Sequence, residues 1–337
     1  MGIFGYTLRR TLLMVFVILG VVIITFTLSH VVPADPVLAL VGDHAPPALV
    51  AKVRSELGLN RPLPVQFGVY VANLLHGNLG TSIADQRPVS ADLAQYLPAT
   101  IELSTAALLF AILVGVPTGI ISAIYRNRWQ DQAARIFALA GVSLPVFFTA
   151  LLFLAIFYVK LGWLPGPGQL GPYTEAPPTV TGMVVIDSIL AANWAALGDA
   201  LSHLIMPAVV LGWASAGVIM RMMRSSLLEV MGSDYIRTAR SKGLHGLTVI
   251  LAHGVRNALI PTVTVVGLAY GGLLQGAVLT ETIFSWPGIG RYATNSVTNI
   301  DVPAVLGVTL IAAIIYSLVN LLVDLLYAVL DPRIRLG

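Results

Sequence analysis

The sequence predicts an all-α membrane protein with six transmembrane helices, and three observations carry that prediction. Uncharged runs of about bilayer length recur at residues 11–29, 103–125, 136–159, 204–220, 257–280 and 302–323, and a spanning helix needs about 20 apolar residues. Charged residues make up 10% of the chain against 57% hydrophobic. Soluble chains carry about 25% charged, so polarity here is too scarce to cover a soluble surface. The basic residues gather in alternate connections between the runs, as they do in multi-pass proteins.

The first run is longer than the apolar core of a secretory signal and leads into LSHVVP, which lacks a small-x-small cleavage pattern. It reads as a span, making residues 1–29 an N-terminal transmembrane helix. Residues 30–99 form a loop region with two amphipathic helices. Pro46 and Pro47 open the first, where Leu49, Val50, Val53 and Leu57 recur at helical spacing before Gly58 stops it. Phe67, Tyr70, Val71, Leu74 and Leu75 form the second, which ends at Gly77. Such helices lie on the membrane or cap the mouth of a pathway. Residues 100–330 supply the remaining five spans. Thr100 reads as the N-cap of the second span, with Glu102 in its first turn.

The loop over 160–203 is rich in Pro and Gly, and its half-apolar stretch 180–197 is interrupted by Asp187. A seventh span there would put the most basic connection on the wrong side of the membrane. The loop over 281–301 carries Phe284, Trp286 and Tyr292, residues suited to a membrane interface. Residues 331–337 form a short tail.

Charge sets the orientation. Six spans put both termini on one side, together with Arg9, Arg10, Arg126, Arg128, Arg135, six basic residues between 221 and 261, Arg333 and Arg335. That is thirteen of the chain's 19 Lys and Arg, accompanied by four acids, Asp131, Glu229, Asp234 and Asp331. Such an excess marks the cytoplasmic side. The protein is therefore expected in the cell inner (plasma) membrane, in contact with lipid, with both termini cytoplasmic. Topology thus accounts for the net charge of +3, and no nucleic-acid partner is expected.

Chemistry is sparse. The chain has no cysteine, which excludes disulfides, thiolate metal sites and cysteine nucleophiles. GPGQLG at 166–171 matches the dinucleotide-binding glycine pattern, but it lies in a Pro-rich loop and reads as a turn. Lys52, Lys160 and Lys242 follow Ala, Val and Ser, so there is no P-loop, and any ATP used must be hydrolysed by another chain. The six histidines form no H-E-x-x-H arrangement. His245 and His253 read as making polar contacts with neighbouring helices. No metal site, cofactor or catalytic constellation is expected, and the chain does not read as an enzyme.

Small and polar residues inside the spans describe their packing. Gly115 and Gly119 flank Pro117, and Gly267/Gly271 and Gly272/Gly276 give two small-xxx-small pairs in the fifth span, a spacing that lets helices approach closely. Gly267, Gly271, Gln275 and Gly276 are candidates for lining a pathway or for helix packing. Asn320, Asp324, Tyr327 and Asp331 share one helical face. Asn320 and Asp324 are candidates for polar pairing at membrane depth, with Arg221 or Arg224 as the expected partner of Asp324.

The most unusual stretch is the connection 221–261, a charged, glycine-punctuated loop between two apolar spans. The fourth span should run on as helix to about Met231 and stop at Gly232. Ser233 can N-cap a short helix with Asp234 in its first turn. Tyr235, Ile236 and Ala239 give that helix an apolar edge and Arg237, Arg240 and Lys242 a basic one. Gly243 and Gly246 break it, and Leu247, Ile250 and Leu251 begin the return toward Pro261. A folded docking element for a cytoplasmic partner needs caps, breaks and amphipathic spacing in this order; a solvated loop does not.

These residues resemble the permease subunits of ABC importers, whose cytoplasmic EAA loop carries a coupling helix that sits in a groove on the ATPase. Arg237-Thr238-Ala239 followed by Gly243, with Pro261 beyond, occupies the family frame. Its usual acidic first position is Arg here, and the Gly-to-Pro distance is longer. The resemblance is closer to the peptide/nickel branch, in particular its dipeptide/oligopeptide permease B-like members. It runs through FTLSHVVPADP (26–36), LGLNRP (57–62), GNLGTS (77–82), PATIEL (98–103) and MRSSLLEVMGSDYIRTARSKGL (223–244), then RNALIP (256–261), LTETIFSWPGIGR (279–291) and NLLVDLLYAVLDPRIR (320–335).

The resemblance implies the fold of a type I ABC importer (MetI-like) permease. It also implies partners: a second homologous permease subunit, two cytoplasmic ABC ATPase subunits and an extracytoplasmic substrate-binding protein. On the same likeness, Arg237, Ala239, Arg240, Lys242, Gly243 and Leu244 would couple ATP hydrolysis to alternating access. The cargo would be dipeptides or oligopeptides, with nickel complexes or glutathione as alternatives. A secondary transporter or channel is the reading from a different class; it calls for intramembrane ions or broken helices in symmetric halves.

Overall fold

The structure is a computed structural model that describes residues 3–31, 37, 45–56 and 59–330. Among the described residues the elements are helices: α1 (Ile3–Val31), α2 (Pro47–Glu56), α3 (Leu63–Leu75), α4 (Val89–Ile124), α5 (Trp129–Ser143) and α6 (Val146–Lys160). They continue with α7 (Val184–Leu190), α8 (Trp194–Met231), α9 (Asp234–Ser241), α10 (Gly246–Ile283), α11 (Ile289–Thr298) and α12 (Val302–Leu330). Leu57, Gly58, Asp331 and the expected tail lie outside the described residues, as does most of the segment joining α1 to α2.

α8 is the central helix. Two thirds (67%) of its most apolar window is buried, against 6% for α1, which stands at the periphery. α4 packs very close to α8, because glycines face backbone across the contact. A Cβ on Gly115 would lie 2.8 Å from the Ala216 carbonyl oxygen, and one on Gly119 2.8 Å from that of Met220. Gly212 likewise faces the Ala107 carbonyl. The expected close approach at Gly115 and Gly119 is therefore realised. Towards the far end, Leu103 and Ala107 of α4, Leu204, Ala208 and Leu211 of α8, and Leu273 and Ala277 of α10 form the main apolar core.

The third expected span, 136–159, is broken. α5 and α6 meet at 108° across Leu144 and Pro145. Leu144 is extended (φ −82°, ψ 130°), the conformation favoured before proline, and Pro145 has no N–H to continue the ladder. The two halves still traverse the bundle. Asp131 in α5 meets Arg224 near the C-terminal end of α8, whereas Gly168, beyond α6, donates to the Phe284 carbonyl past the opposite end of α10. Counting the broken pair as one passage gives six.

Three further expectations are corrected. The second span begins at Val89, well before PATIEL, so Thr100 and Glu102 lie inside α4, past an internal Pro98. The aromatic residues of 281–301 do not lie at an interface: Phe284, Trp286 and Tyr292 are all buried, and Trp286 Nε1 donates to the Ala99 carbonyl (2.8 Å). Asp324 pairs with Arg10 of α1 at 2.9 Å, not with Arg221 or Arg224; packing of α1 on α12 sets them side by side. The second amphipathic helix, α3, leans on α1, with Phe67 edge-on to Phe26 (5.1 Å) and Tyr70 Oη 3.0 Å from Thr25 Oγ1.

Candidate coupling site and translocation helices

α8 ends at Met231 with Gly232 as its C-cap, as its sequence suggests. Ser233 occupies the N-cap of α9, but its hydroxyl makes no cap bond. It donates instead to the Val230 carbonyl at 2.6 Å, tying the new helix to the end of the old one. Ile236 and Ala239 are buried against Val230, Met231 and Val249. The apolar edge of α9 is thus seated on the ends of α8 and α10, while Tyr235 is left exposed. Ala239 belongs to the seated face and holds the helix in place.

The opposite face is free. Arg237, Arg240, Lys242 and Leu244 are exposed. Arg237 makes an ion pair with Asp234 (3.3 Å) between two largely exposed side chains, a contact of little energetic consequence. Gly243 closes the helix at φ +76°, a conformation that costs glycine nothing and strains most other residues. Its N–H bonds the Arg240 carbonyl (2.9 Å). His245 accepts from the Leu247 N–H (3.4 Å) and opens the return, which passes through a wide turn at Val249–Val255. Leu247 and Leu251 remain exposed. Basic and apolar side chains thus share one uncovered surface.

α10 divides its glycines between two faces. Gly267 and Gly271 pack on α12; a Cβ there would come 2.5 Å from Val323 Cγ2 and 3.2 Å from Tyr316 Cε2. Gly272 and Gly276 meet nothing within 4 Å, so the second small-residue pair makes no such contact among the described residues. Gln275 is exposed on this uncovered side, with Leu268 and Leu279. Asn320 is inside the α12 packing, and its Oδ1 is buried without a hydrogen-bond partner among the described residues.

The bundle end remote from α9 is organised by carboxylates that sequence reading did not single out for this role. Glu281 is fully buried and accepts from Thr100 Oγ1 (2.6 Å), Gly290 N (2.7 Å) and Arg291 N (3.1 Å). Thr100 Oγ1 in turn accepts from Ile289 N (2.9 Å). The first turn of α11 is therefore capped by side chains of α4 and α10. Glu102 accepts from Val185 N (2.7 Å) and holds the start of α7.

Asp187 gathers the N–H groups of Val180, Thr181 and Gly182 and the Thr181 hydroxyl at 2.7–3.2 Å. Burial alone would raise its carboxyl, but these donors outweigh burial and hold it below the ordinary carboxylate value. Tyr292 donates to Asp92 (3.1 Å), and burial beside that carboxylate pushes its phenol above the usual range. A lone acid at the end of an apolar run, followed by Trp-Pro-Gly-x-Gly, was the available signal for Glu281.

A polytopic bundle with a seated basic helix at one end and a carboxylate-braced cap at the other has the build of a transport permease. Comparison with known proteins makes this specific. Residues 115–336 match the family described as binding-protein-dependent transport system inner membrane component, and residues 3–104 match the N-terminal region of such membrane components.

Among curated relatives, the probable D,D-dipeptide transport system permease protein DdpB of Escherichia coli (strain K12) is 48% identical over 324 residues, covering 96% of this chain and 95% of that one. The dipeptide transport system permease protein DppB of Alkalihalophilus pseudofirmus is 45% identical over 331 residues, covering 98% and 99%. The glutathione transport system permease protein GsiC of Salmonella typhi is 38% identical, covering 98% and 99%. Among solved structures, the inward-facing MetNI methionine ABC transporter shares the fold with a TM-score of 0.50 at 16% identity, over 71% of this chain and 96% of that one.

The chain belongs to the binding-protein-dependent transport system inner membrane component family. It is a multi-pass membrane protein, a permease subunit of an ABC importer with the type I fold, in the branch that contains the dipeptide permeases.

Proposed function

We infer that the chain carries dipeptides or oligopeptides inward, by alternating access driven by ATP hydrolysed on two partner ATPase chains. The observation that carries the coupling role is α9, a short helix whose apolar edge is seated on two spans while Arg237, Arg240 and Lys242 are exposed. In this reading Arg240 and Lys242 meet acidic or backbone acceptors on the ATPase. Gly243 supplies the tight turn, Leu244 adds apolar contact and Ala239 seats the helix.

The basic end of the bundle, where α1 begins and α12 ends, is cytoplasmic. The far end receives an extracytoplasmic binding protein. Gln275 and Gly276 line the path beside a second permease subunit, Gly267 and Gly271 pack α10 on α12, and Arg10–Asp324 joins the first and last spans below the buried Asn320. The peptide cargo rests on the likeness to DdpB and DppB. Glutathione is the second reading, favoured by the likeness to GsiC.

The coupling role is tested by charge reversal. In a chain carrying Arg240→Glu and Lys242→Glu, both exposed, insertion should be normal and co-purification with the ATPase should be lost. Undiminished co-purification would refute it. Competition of labelled dialanine uptake by unlabelled glutathione separates the two cargo readings.

A further inference from the structure

A second polar cluster lies above α9, outside the residues assigned to docking. Asp131, in the first turn of α5, is fully buried. Arg224 of α8 grips it with two parallel bonds, Nε to Oδ1 and Nη2 to Oδ2, each 2.8 Å. Ser122, in the last turn of α4, donates to Asp131 Oδ1 (2.5 Å) and accepts from Arg224 Nε (3.0 Å). Asn127, at φ +63° in the turn between α4 and α5, donates its N–H to Asp131 Oδ2 (2.9 Å). Each carboxylate oxygen thus takes two donors, and three helices are joined at one point. The planar fork of arginine is suited to such a bidentate contact, and lysine would reproduce only part of it.

Position gives the cluster its meaning. Arg224 stands about 10 Å along the axis before the end of α8, and that end seats α9 through Val230 and Met231. Farther along, α5 is stapled to α8 again. A Cβ on Gly217 would lie 2.7 Å from the Ala138 carbonyl oxygen, and Trp213 stacks on Phe137 and donates to its carbonyl (3.1 Å). α5 then ends at the 108° break before α6. A displacement of α9 therefore reaches the break through α8 and α5, and the Asp131 cluster is the polar joint between these two helices at that end.

We propose that Arg224 and Asp131, with Ser122, are positioning residues for energy coupling. They lock the basic-end halves of α4, α5 and α8 into one lever, so that movement of the docking helix is delivered to the α5–α6 break. The proposal rests on the reading of α9 as the ATPase contact.

The test uses the complete transporter (both permeases, the ATPases and the binding protein) in proteoliposomes, with labelled dialanine uptake and ATP hydrolysis measured on the same sample. Asp131→Asn and Arg224→Gln should assemble and hydrolyse ATP within about twofold of wild type, while uptake per ATP falls at least tenfold. Arg224→Lys should recover a third or more of that ratio. An unchanged ratio in Asp131→Asn would overturn the proposal, as would uptake and hydrolysis falling in proportion, which a merely structural role produces. If Asp131→Asn does not assemble, Ser122→Ala, which keeps the ion pair, decides. An intermediate ratio supports the proposal and a wild-type ratio overturns it. Absence of ATP-driven uptake of both dialanine and glutathione by the wild-type complex would overturn the underlying reading and this proposal with it.

Discussion

Replacing Glu281 with alanine removes the acceptor that caps α11. The carboxylate lies against Gly288 and Gly290, where a side chain has no room: a Cβ on Gly290 would come 2.8 Å from Oε2 and 2.6 Å from the Val278 Cα. The substitution leaves the N–H groups of Gly290 and Arg291 and the Thr100 hydroxyl without their acceptor. A buried donor left unsatisfied costs about 1–3 kcal/mol. Relief from burying a carboxylate offsets part of the total, so a net loss of about 3 kcal/mol is expected for Glu281→Ala. Glu281→Gln keeps one acceptor oxygen and should lose about 1 kcal/mol. SDS titration of the purified chain in mixed micelles, followed by tryptophan fluorescence, measures both. Trp286 reports directly, because its indole is buried beside this cap. Stability of Glu281→Ala within about 0.5 kcal/mol of wild type would refute the reasoning.

Gly212→Val should destabilise by about 3 kcal/mol or more, beyond ordinary overpacking, because its Cβ meets backbone at Ala107 rather than a side chain that can move. Gly272→Ala should be neutral or stabilise by up to about 1 kcal/mol in the same titration, since nothing lies within 4 Å and alanine favours the helix. Asp187 titrates below its ordinary value of 3.8 when folded, so its contribution to stability is fully present above that value and is lost as pH falls through the lower, folded one. The stability difference between wild type and Asp187→Asn should therefore be constant above about pH 5 and shrink toward about pH 3; a difference independent of pH would contradict the assignment.

The spans were legible because the bilayer imposes a length and an apolar composition on each of them. The short helix α9 was legible for a local reason: Gly232, Asp234 and Gly243 punctuate a few consecutive turns, and the alternation of Ile236 and Ala239 with Arg237 and Arg240 needs no distant partner. Contacts between remote residues were not legible. Asp131 and Arg224 are 93 residues apart, and Thr100 and Glu281 are 181 apart. Nothing local distinguishes a carboxylate that caps its own helix from one that caps another.

Pro145 was visible in the sequence, but a proline within a run is compatible with a mild kink or a sharp break. The 108° bend depends on what α5 and α6 pack against, with Trp213 on one side and Met206 and Val210 on the other. Thr100 misled because Pro98 resembles a helix start, whereas α4 had already begun at Val89.

In the proposed mechanism, ATP hydrolysis on a partner chain moves peptide through this permease by way of α9. Uptake of labelled dialanine into proteoliposomes containing the whole transporter tests it most directly, comparing wild type with Gly243→Val, which forces a β-branched residue into the φ +76° turn. ATP-dependent uptake is expected of wild type and uptake reduced at least tenfold in the variant, with both chains inserted equally. Equal uptake by the two would contradict it.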